Sequence, residues 1–332
     1  MADLELSIIM SDNPRSRAVV DGSVKPEGIR LSGTFGHPAE IFWRQLKSAE
    51  FDVSEMSLSS LIMLQAGGSR DWVGLPIFPQ RRFFHTWAWI RLGAGIERPE
   101  DLKGKRVGVP EYQQTAALWS RGVLQHEFGV SPLDVEWFME RTEEQSHGGS
   151  TGFRPPAGLR FQRIPPSESI GSLLLAGGLD ATLMYIAGGS AIDRSRGSLE
   201  DYPDRFRLLF PDPLAESRRY YAKTGIFPIN HGMVVRRSIV ERHPWVVLNL
   251  FNAFRRAKDA WLAGVNELAA THLSLGLLPP ASAEALRIDP YPYGVASNRQ
   301  VLETVTAYSH EQGLTPRQVP LDEVFAASTM DL

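Results

Sequence analysis

The sequence of 332 residues contains no cysteine. This excludes disulfide bonds, a cysteine nucleophile, thiolate zinc sites and cysteine-ligated iron–sulfur clusters. No stretch approaches 18 consecutive apolar residues, so the sequence predicts neither a membrane span nor a membrane partner. An excess of basic residues is also missing, because the formal net charge is −3. A broad nucleic-acid-binding face is therefore not expected.

Two further absences concern targeting and phosphate binding. The first residues carry Asp3 and Glu5 where a secretion signal needs Lys or Arg, and the apolar run Ile8-Ile9-Met10 is too short for a signal core. We therefore expect a cytoplasmic protein. The phosphate-binding pattern G-x-x-x-x-G-K-[ST] does not occur.

The residues that are present predict an α/β protein. Hydrophobic residues make up 43% and charged residues 22% of the chain, a composition typical of globular proteins. Strand-like and helix-like segments alternate through the first two-thirds, which indicates a largely parallel sheet flanked by helices. The predicted strands of the first part cover 4–10, 30–35, 51–56, 72–77 and 86–91, and its helices cover 39–49 and 59–66.

A turn-rich segment near Gly93 predicts a second, smaller lobe over residues 93–188. Lobe 1 then consists of residues 1–92 plus 189–332, and its C-terminal helices over 244–263 and 302–312 cover the first sheet. Two crossings of the chain join the lobes, and the ligand cleft lies between them. The polar segment 143–156 is predicted to be a surface loop.

Arg81, Arg82 and His85 follow the strand over 72–77 at its C-terminal end. That edge of an open α/β sheet faces the ligand crevice. A guanidinium group is a planar, permanent cation suited to a carboxylate. The alternative is that one arginine is solvated while the other pairs with a surface carboxylate.

Other candidates also lie at segment ends. His231, next to Asn230, precedes a strand-like run and is either functional or a buried histidine satisfied by the backbone. His37 opens a helix that points towards the cleft. Glu55, with Ser57, ends the third strand, where a carboxylate accepts a proton or orients a histidine. The alternative for Glu55 is stabilisation by the following helix dipole.

A third group of candidates precedes the long helix of the second lobe. Tyr112, Gln113 and Thr115 lie at a helix N-terminus, which favours an anionic ligand. Plain helix capping is the alternative. A metal site made of His85, His231 and Glu55 is a weaker alternative, since no local two-histidine spacing supports it.

Four segments carry a family resemblance. LKGKRVGVPEYQQTA (102–116) resembles the start of the second lobe in the type II periplasmic-binding-protein fold. The chain also resembles the 4,5-dihydroxyphthalate decarboxylase family, a cytoplasmic enzyme branch of that fold, across residues 4 to 326. Three segments carry this second likeness: PIFPQRRFFH (76–85), GIFPINHGMVVRRSIVERHPWV (225–246) and DPYPYGVASNRQVLETVTAYSHEQGL (289–314).

The resemblance implies a carboxy-lyase that converts 4,5-dihydroxyphthalate to 3,4-dihydroxybenzoate and CO₂. No cofactor is expected, because the protonated ring supplies the electron sink; a divalent metal is the alternative. In this interpretation His85, His231 and Glu55 move protons, and Arg81 or Arg82 holds the remaining carboxylate. A small aromatic carboxylate is the expected partner, and a homo-oligomer is left open.

Two other functions stay open at this point. One is a solute-binding protein for an aromatic or other organic anion that feeds an ABC transporter, because fold alone does not fix function. The other is a cytoplasmic enzyme of the same fold that acts on a different substrate.

Overall fold

The computed structural model describes residues 3–332 and contains two β-sheets flanked by helices. Within these residues the strands are Leu4–Met10 (β1), Ile29–Phe35 (β2), Val53–Ser57 (β3), Trp72–Arg81 (β4), Trp89–Arg91 (β5), Arg106–Val109 (β6), Glu136–Met139 (β7), Arg160–Arg163 (β8), Ala181–Thr182 (β9), Phe206–Leu208 (β10) and Ile229–Arg236 (β11). The helices are Arg17–Val20 (α1), Pro38–Ser48 (α2), Leu58–Ala66 (α3), Thr115–Phe128 (α4), Gly148–Thr151 (α5), Ile170–Ala176 (α6), Pro213–Thr224 (α7), Arg237–Arg242 (α8), Val246–Ser274 (α9), Ser282–Ala285 (α10), Arg299–Glu311 (α11) and Leu321–Val324 (α12).

The first sheet has the strand order β2-β1-β3-β11-β4. β1 pairs in parallel with β2 and β3, whereas β11 pairs antiparallel with both β3 and β4. The sheet is therefore mixed rather than largely parallel. Every residue of β3 is buried, because this strand lies in the middle of the sheet and packs on both faces.

The second sheet has the order β10-β5-β9-β6-β7-β8. It includes β5 and β10, which lie outside the predicted range 93–188. The two chain crossings therefore lie next to Ala88 and Leu209, where the Leu209 N–H donates to the Ala88 carbonyl at 2.8 Å. The predicted boundaries differ because two three-residue strands, β5 and β10, extend the second sheet beyond residues 93–188, with β10 at its edge.

β4 is irregular close to its C-terminal end. Its pairing with β11 shifts register on either side of His231. Pro76 and Pro79 lie in this part of β4, and a proline cannot donate a backbone hydrogen bond to a neighbouring strand. The register shift changes the direction in which the side chains at the end of the strand point.

Helix α4 follows β6 in the second sheet, and it packs tightly against the first lobe. The buried Trp119 donates its indole N–H to the Ile229 carbonyl at 2.9 Å. Gly122 lies so close to Tyr308 of α11 that a Cβ at this position would approach the ring to 2.2 Å. Only glycine allows this approach without displacement, so the middle of α4 packs directly against α11 at the junction of the lobes.

No helix within residues 3–332 is long and apolar enough to span a bilayer.

Candidate functional site

A cavity of about 340 Å³ lies between the two lobes. It opens at the C-terminal ends of β3, β4 and β9 and at the start of α2 and α4, as expected for an open α/β sheet. Aromatic side chains form much of its wall: Phe42, Phe84, Trp87, Trp89 and Tyr185. Within residues 3–332, none of the lining side chains is Asp or Glu. The cavity therefore suits a flat, anionic ligand.

Glu55 and His231 form a hydrogen-bonded pair at the back of this cavity. His231 of β11 lies opposite Ser57 of β3, so Glu55 is its diagonal neighbour on the same face of the sheet. The Nδ1 of His231 is 2.5 Å from Glu55 Oε1. The other oxygen, Oε2, accepts from the Ser11 backbone N–H at 2.7 Å and from its hydroxyl at 2.6 Å.

Glu55 is fully buried, whereas 12% of the His231 side chain is exposed. Burial pushes the pKa of Glu55 upward, but the hydrogen bonds from His231 and Ser11 outweigh it, so the pKa lies below the ordinary value of 4.5. The carboxylate therefore accepts the Nδ1–H of His231. This leaves Nε2 as the histidine nitrogen available to a ligand.

Arg82 places an unpaired cation in the cavity. Its side chain is exposed, and within residues 3–332 it forms neither an ion pair nor a side-chain hydrogen bond. The guanidinium carbon lies 4.5 Å from the ring centroid of Trp87 and 5.6 Å from that of Phe84. These aromatic faces hold the cation while its N–H donors stay free for a carboxylate.

His37 caps α2 and also lines the cavity. Its Nδ1 accepts from the Ala39 N–H at 3.3 Å. Burial lowers the pKa of His37, which keeps the ring neutral. A neutral ring that accepts at Nδ1 carries its proton on Nε2, so His37 is a hydrogen-bond donor toward the cavity.

Ser57 and Thr115 join the two lobes at the floor of the cavity. Their hydroxyl oxygens are 2.9 Å apart, and the Thr115 hydroxyl accepts from the Ser59 N–H at 2.9 Å. Thr115 begins α4, and its neighbours Gln114 and Ala116 also line the cavity. The helix therefore presents its positive N-terminal end to a bound anion.

The second lobe contributes a second arginine, Arg141. It is buried, and it forms a two-point ion pair with Asp193 at 2.8 and 3.0 Å. Its Nη1 also lies 3.7 Å from the Glu111 carboxylate. Because Asp193 neutralises the positive charge of Arg141, Arg82 attracts an anion more strongly than Arg141 does.

His147 lines the cavity from segment 143–156, which the sequence predicted to be a surface loop. The side chain is 1% exposed, and its Nδ1 lies 3.0 Å from both the Ser60 hydroxyl and the Gln113 amide nitrogen. Burial lowers its pKa well below 6.5, and the positive charge of Arg141 adds to this effect. Part of the predicted surface loop is thus packed inside the cleft.

The structure brings His231, Arg82, His37, Ser57 and Thr115 together around the cavity, with Glu55 directly behind His231. Two more predicted residues lie behind the wall. Gln113 contacts His147, and the Asn230 amide donates to the Arg82 carbonyl at 3.2 Å. They support lining residues rather than face a ligand themselves.

Three predicted residues lie elsewhere. Arg81, the last residue of β4, faces the opposite side of the sheet from Gln80, because successive side chains of a strand alternate between faces, and it lines a different cavity from Arg82. The chain forms a 3₁₀ turn over Phe84–Trp87, which turns His85 away from the cleft towards Glu216, 3.3 Å distant. Tyr112 is fully buried in an aromatic cluster with Trp137, Phe153 and Phe161.

The position of His85 separates it from His231 and Glu55, so these three residues do not form the alternative metal site. Within residues 3–332, no group of three or more ligating side chains is placed to hold a metal ion.

Sequence reasoning missed Arg141, Trp87 and Phe42. Arg141 follows β7 by two residues. Because ligands of open α/β sheets bind at the carboxyl ends of strands, locating β7 in the sequence would have identified Arg141 as a candidate. The two aromatic residues carry no comparable signal, since apolar side chains at helix and turn positions are usually core residues.

Two curated relatives match this chain. The 4,5-dihydroxyphthalate decarboxylase of Comamonas testosteroni is 32% identical over 334 aligned positions, which cover 100% of this chain and 99% of that protein. The protein of the same name from Pseudomonas putida is 38% identical over 183 positions, 55% of this chain and 71% of that protein. No protein-family profile matches the chain.

Among solved structures, the periplasmic aliphatic sulphonate binding protein SsuA from Escherichia coli superposes with a TM-score of 0.52. It is 14% identical, and the match covers 98% of this chain and 92% of that one. This likeness concerns the fold alone, and it confirms the predicted two-lobed α/β architecture of the periplasmic-binding-protein type.

Proposed function

This chain belongs to the 4,5-dihydroxyphthalate decarboxylase family, and we propose that it removes one carboxyl group from 4,5-dihydroxyphthalate in the cleft between its lobes. The products are 3,4-dihydroxybenzoate and CO₂. The observation that carries the assignment of this reaction to the cleft is the Glu55–His231 pair beside the unpaired Arg82. A proton-transfer group and a carboxylate-binding cation share one aromatic-walled cavity.

Arg82 binds the carboxylate that stays on the ring. A guanidinium group presents two parallel N–H donors to a carboxylate, which fixes both its position and its orientation. Trp87 holds the guanidinium from one side, so little side-chain freedom is lost on binding. The aromatic walls accommodate the flat ring, and the His37 Nε2–H is available to a substrate oxygen.

His231 delivers the proton that replaces the departing carboxyl group. A hydroxyl para to that group pushes electron density into the ring, and the ring carbon that bears the carboxylate takes a proton from His231 Nε2. The C–C bond then breaks, its electron pair restores the aromatic ring, and CO₂ leaves. His231 regains a proton from solvent, so one proton is consumed for each CO₂ released.

Glu55 acts through His231 as a positioning residue. Its buried carboxylate fixes the proton of neutral His231 on Nδ1 and stabilises the imidazolium form that donates from Nε2. Ser11 holds the second carboxylate oxygen, so the pair has one orientation.

No metal is required in this scheme, because the protonated ring accepts the electrons of the breaking bond. Dialysis against a chelator tests this part of the proposal. Activity that disappears on chelation and returns with a divalent cation would show that the reaction needs a metal.

The central experiment is incubation of the purified protein with 4,5-dihydroxyphthalate, with CO₂ and 3,4-dihydroxybenzoate both quantified. We expect equal amounts of the two products. Tight binding without CO₂ release would instead support a solute-binding protein, and release of CO₂ only from other hydroxylated aromatic acids would change the substrate. Cytoplasmic location and homo-oligomerisation stay predictions, to be checked by cell fractionation and light scattering.

A further inference from the structure

A second cavity lies on the other side of β4 from the cleft. Its volume is about 580 Å³, larger than the 340 Å³ of the cleft. It lies between α7, the C-terminal half of α9 and the segment 285–301. Its wall is mostly apolar and includes Phe83, Phe227, Leu214, Trp261, Leu262 and Ile288.

Arg81 is a buried cation in this mostly apolar wall. Only 8% of the residue is exposed. Its Nη1 donates to Asn298 Oδ1 and its Nη2 to the Phe227 carbonyl, both at 2.9 Å. A guanidinium has five N–H donors, so three are left without a protein acceptor, including the one on the buried Nε.

No carboxylate of residues 3–332 forms an ion pair with Arg81. Asp289 lines the same cavity, but it is paired with Lys258 and accepts from the Tyr291 N–H at 2.8 Å. Burial lowers the pKa of Arg81 to about 10, so the group is still a cation at neutral pH. A buried cation without an anionic partner lowers stability, and a bound anion would remove this penalty.

The remaining charge near the cavity has the same sign. Arg218 lines it as an exposed side chain. A cavity with an apolar wall and a buried cation is complementary to a molecule that combines an apolar body with a single negative group.

We propose that this cavity binds an organic monocarboxylate with an apolar body, with its carboxylate on Arg81 and its body between α7 and α9. The site is separate from the cleft, although the two share β4: Gln80 and Arg82 line the cleft, and Arg81 between them lines the cavity. The proposal goes beyond the decarboxylase function and does not depend on it.

The test is isothermal titration calorimetry with 4-phenylbutyrate, and with 4-phenylbutyramide as the uncharged match. We expect the carboxylate to bind at least about tenfold more tightly than the amide, because a charge-assisted hydrogen bond contributes more than a neutral one. Arg81→Gln should remove most of this preference. Arg82→Ala, which alters the cleft, should leave the affinity for 4-phenylbutyrate unchanged.

A second variant avoids any folding defect caused by the loss of Arg81. Val265 is exposed on α9 and lines the cavity. Val265→Glu places a like charge at the mouth and should weaken 4-phenylbutyrate binding at least about tenfold. Ala263→Glu adds the same charge to an exposed position of α9 outside the lining and should not weaken it.

Three outcomes would overturn the proposal. Binding that is lost only in Arg82→Ala would place the probe in the cleft. Equal affinity for the acid and the amide would show that Arg81 does not recognise the charge. A protein that binds neither probe, and whose oligomers dissociate in Val265→Glu by light scattering, would identify the cavity as a contact between copies of this chain.

Discussion

Arg81 and Arg82 are neighbours in the chain, yet their guanidinium groups line different cavities on the two faces of the first sheet. Arg81 is buried and hydrogen-bonded to Asn298 and the Phe227 carbonyl. Arg82 is exposed and lies against Trp87. Only one of the two arginines can therefore bind a substrate carboxylate in the cleft.

Replacing Arg82 with Ala should raise the KM for 4,5-dihydroxyphthalate. Loss of a charge-assisted hydrogen bond weakens binding by about 10- to 100-fold. The dicarboxylate analogue phthalate should lose more affinity than the monocarboxylate benzoate. The matched control is Arg81→Lys, which should change the KM little because position 81 lies outside the cleft. Equal effects at the two positions would contradict the assignment.

Replacing His231 with Gln should lower kcat by a factor of about 10² or more while substrate still binds, since general acid catalysis contributes about 10²- to 10⁴-fold. His272→Gln, at a half-buried position of α9 that does not line the cleft, serves as the control and should keep the wild-type rate. Steady-state kinetics and a binding measurement separate the two effects. A near-normal rate in His231→Gln would disprove the mechanism even if the reaction is correct.

The proton step also leaves an isotopic signature. When the wild-type reaction is run in D₂O, the product should carry one deuterium at the carbon that lost CO₂, which mass spectrometry and NMR detect. A product without deuterium at that carbon would exclude ring protonation by solvent-exchanged groups.

Glu55→Gln removes the charge behind His231 and should lower kcat by about tenfold or more with a smaller change in KM.

Buried histidines should make the protein less stable as the pH falls from about 6.5 to 5. Burial lowers the pKa of His147 and of His85 below the ordinary 6.5, so the unfolded chain takes up protons in this range while the folded chain does not. Each such histidine contributes up to about 1.4 kcal/mol of lost stability per pH unit.

Urea unfolding of the wild type and of His147→Gln at several pH values measures this effect. The variant should show a shallower pH dependence than the wild type. The Glu216 carboxylate does not obscure this range: its pKa falls to about 2 through its contacts with Arg219 and His85, which outweigh burial, so its stabilising effect is lost only at lower pH. An unchanged slope in His147→Gln would show that its ring is protonated in the folded protein.

Gly122→Ala should destabilise the protein by about 1–3 kcal/mol, because the new methyl group would lie 2.2 Å from the Tyr308 ring. Gly264→Ala is the matched control in an open part of α9, where a Cβ meets no atom within 4 Å. That change should be stabilising by about 0.5–1 kcal/mol, since alanine is the better helix former. Thermal or urea unfolding compares the two, and equal effects would refute the close contact between α4 and α11.

Much of the fold follows from local patterns in the sequence. The alternation in Leu4–Met10 predicted β1 with its observed bounds. The strand predicted over 86–91 contains β5 but was placed in the first lobe, and β10 was not predicted. Three residues give too little periodicity to identify a strand or its sheet. The lobe boundaries therefore moved to Ala88 and Leu209.

The candidate site was only partly predictable for a different reason. Strand ends pointed to Arg82, Glu55 and Ser57, but the facing direction of a side chain depends on the strand's exact register. The bulge in β4 and the 3₁₀ turn after it decide that Arg82 faces the cleft and that His85 does not. The hydrophobic periodicity of the sequence does not predict local irregularities of this kind.

The place of β11 between β3 and β4 has a consequence for how the protein folds. Glu55 and His231 are separated by 176 positions, and the whole second lobe lies between them in the chain. Contacts of such long sequence separation form slowly, because the chain entropy of closing a large loop is lost before the contacts stabilise the fold. A chain that stops before Ile229 lacks the strand that joins β3 to β4 and half of the proton-transfer pair. Activity should therefore appear only after synthesis of β11, and its time course in a refolding experiment would report the closing of the first sheet.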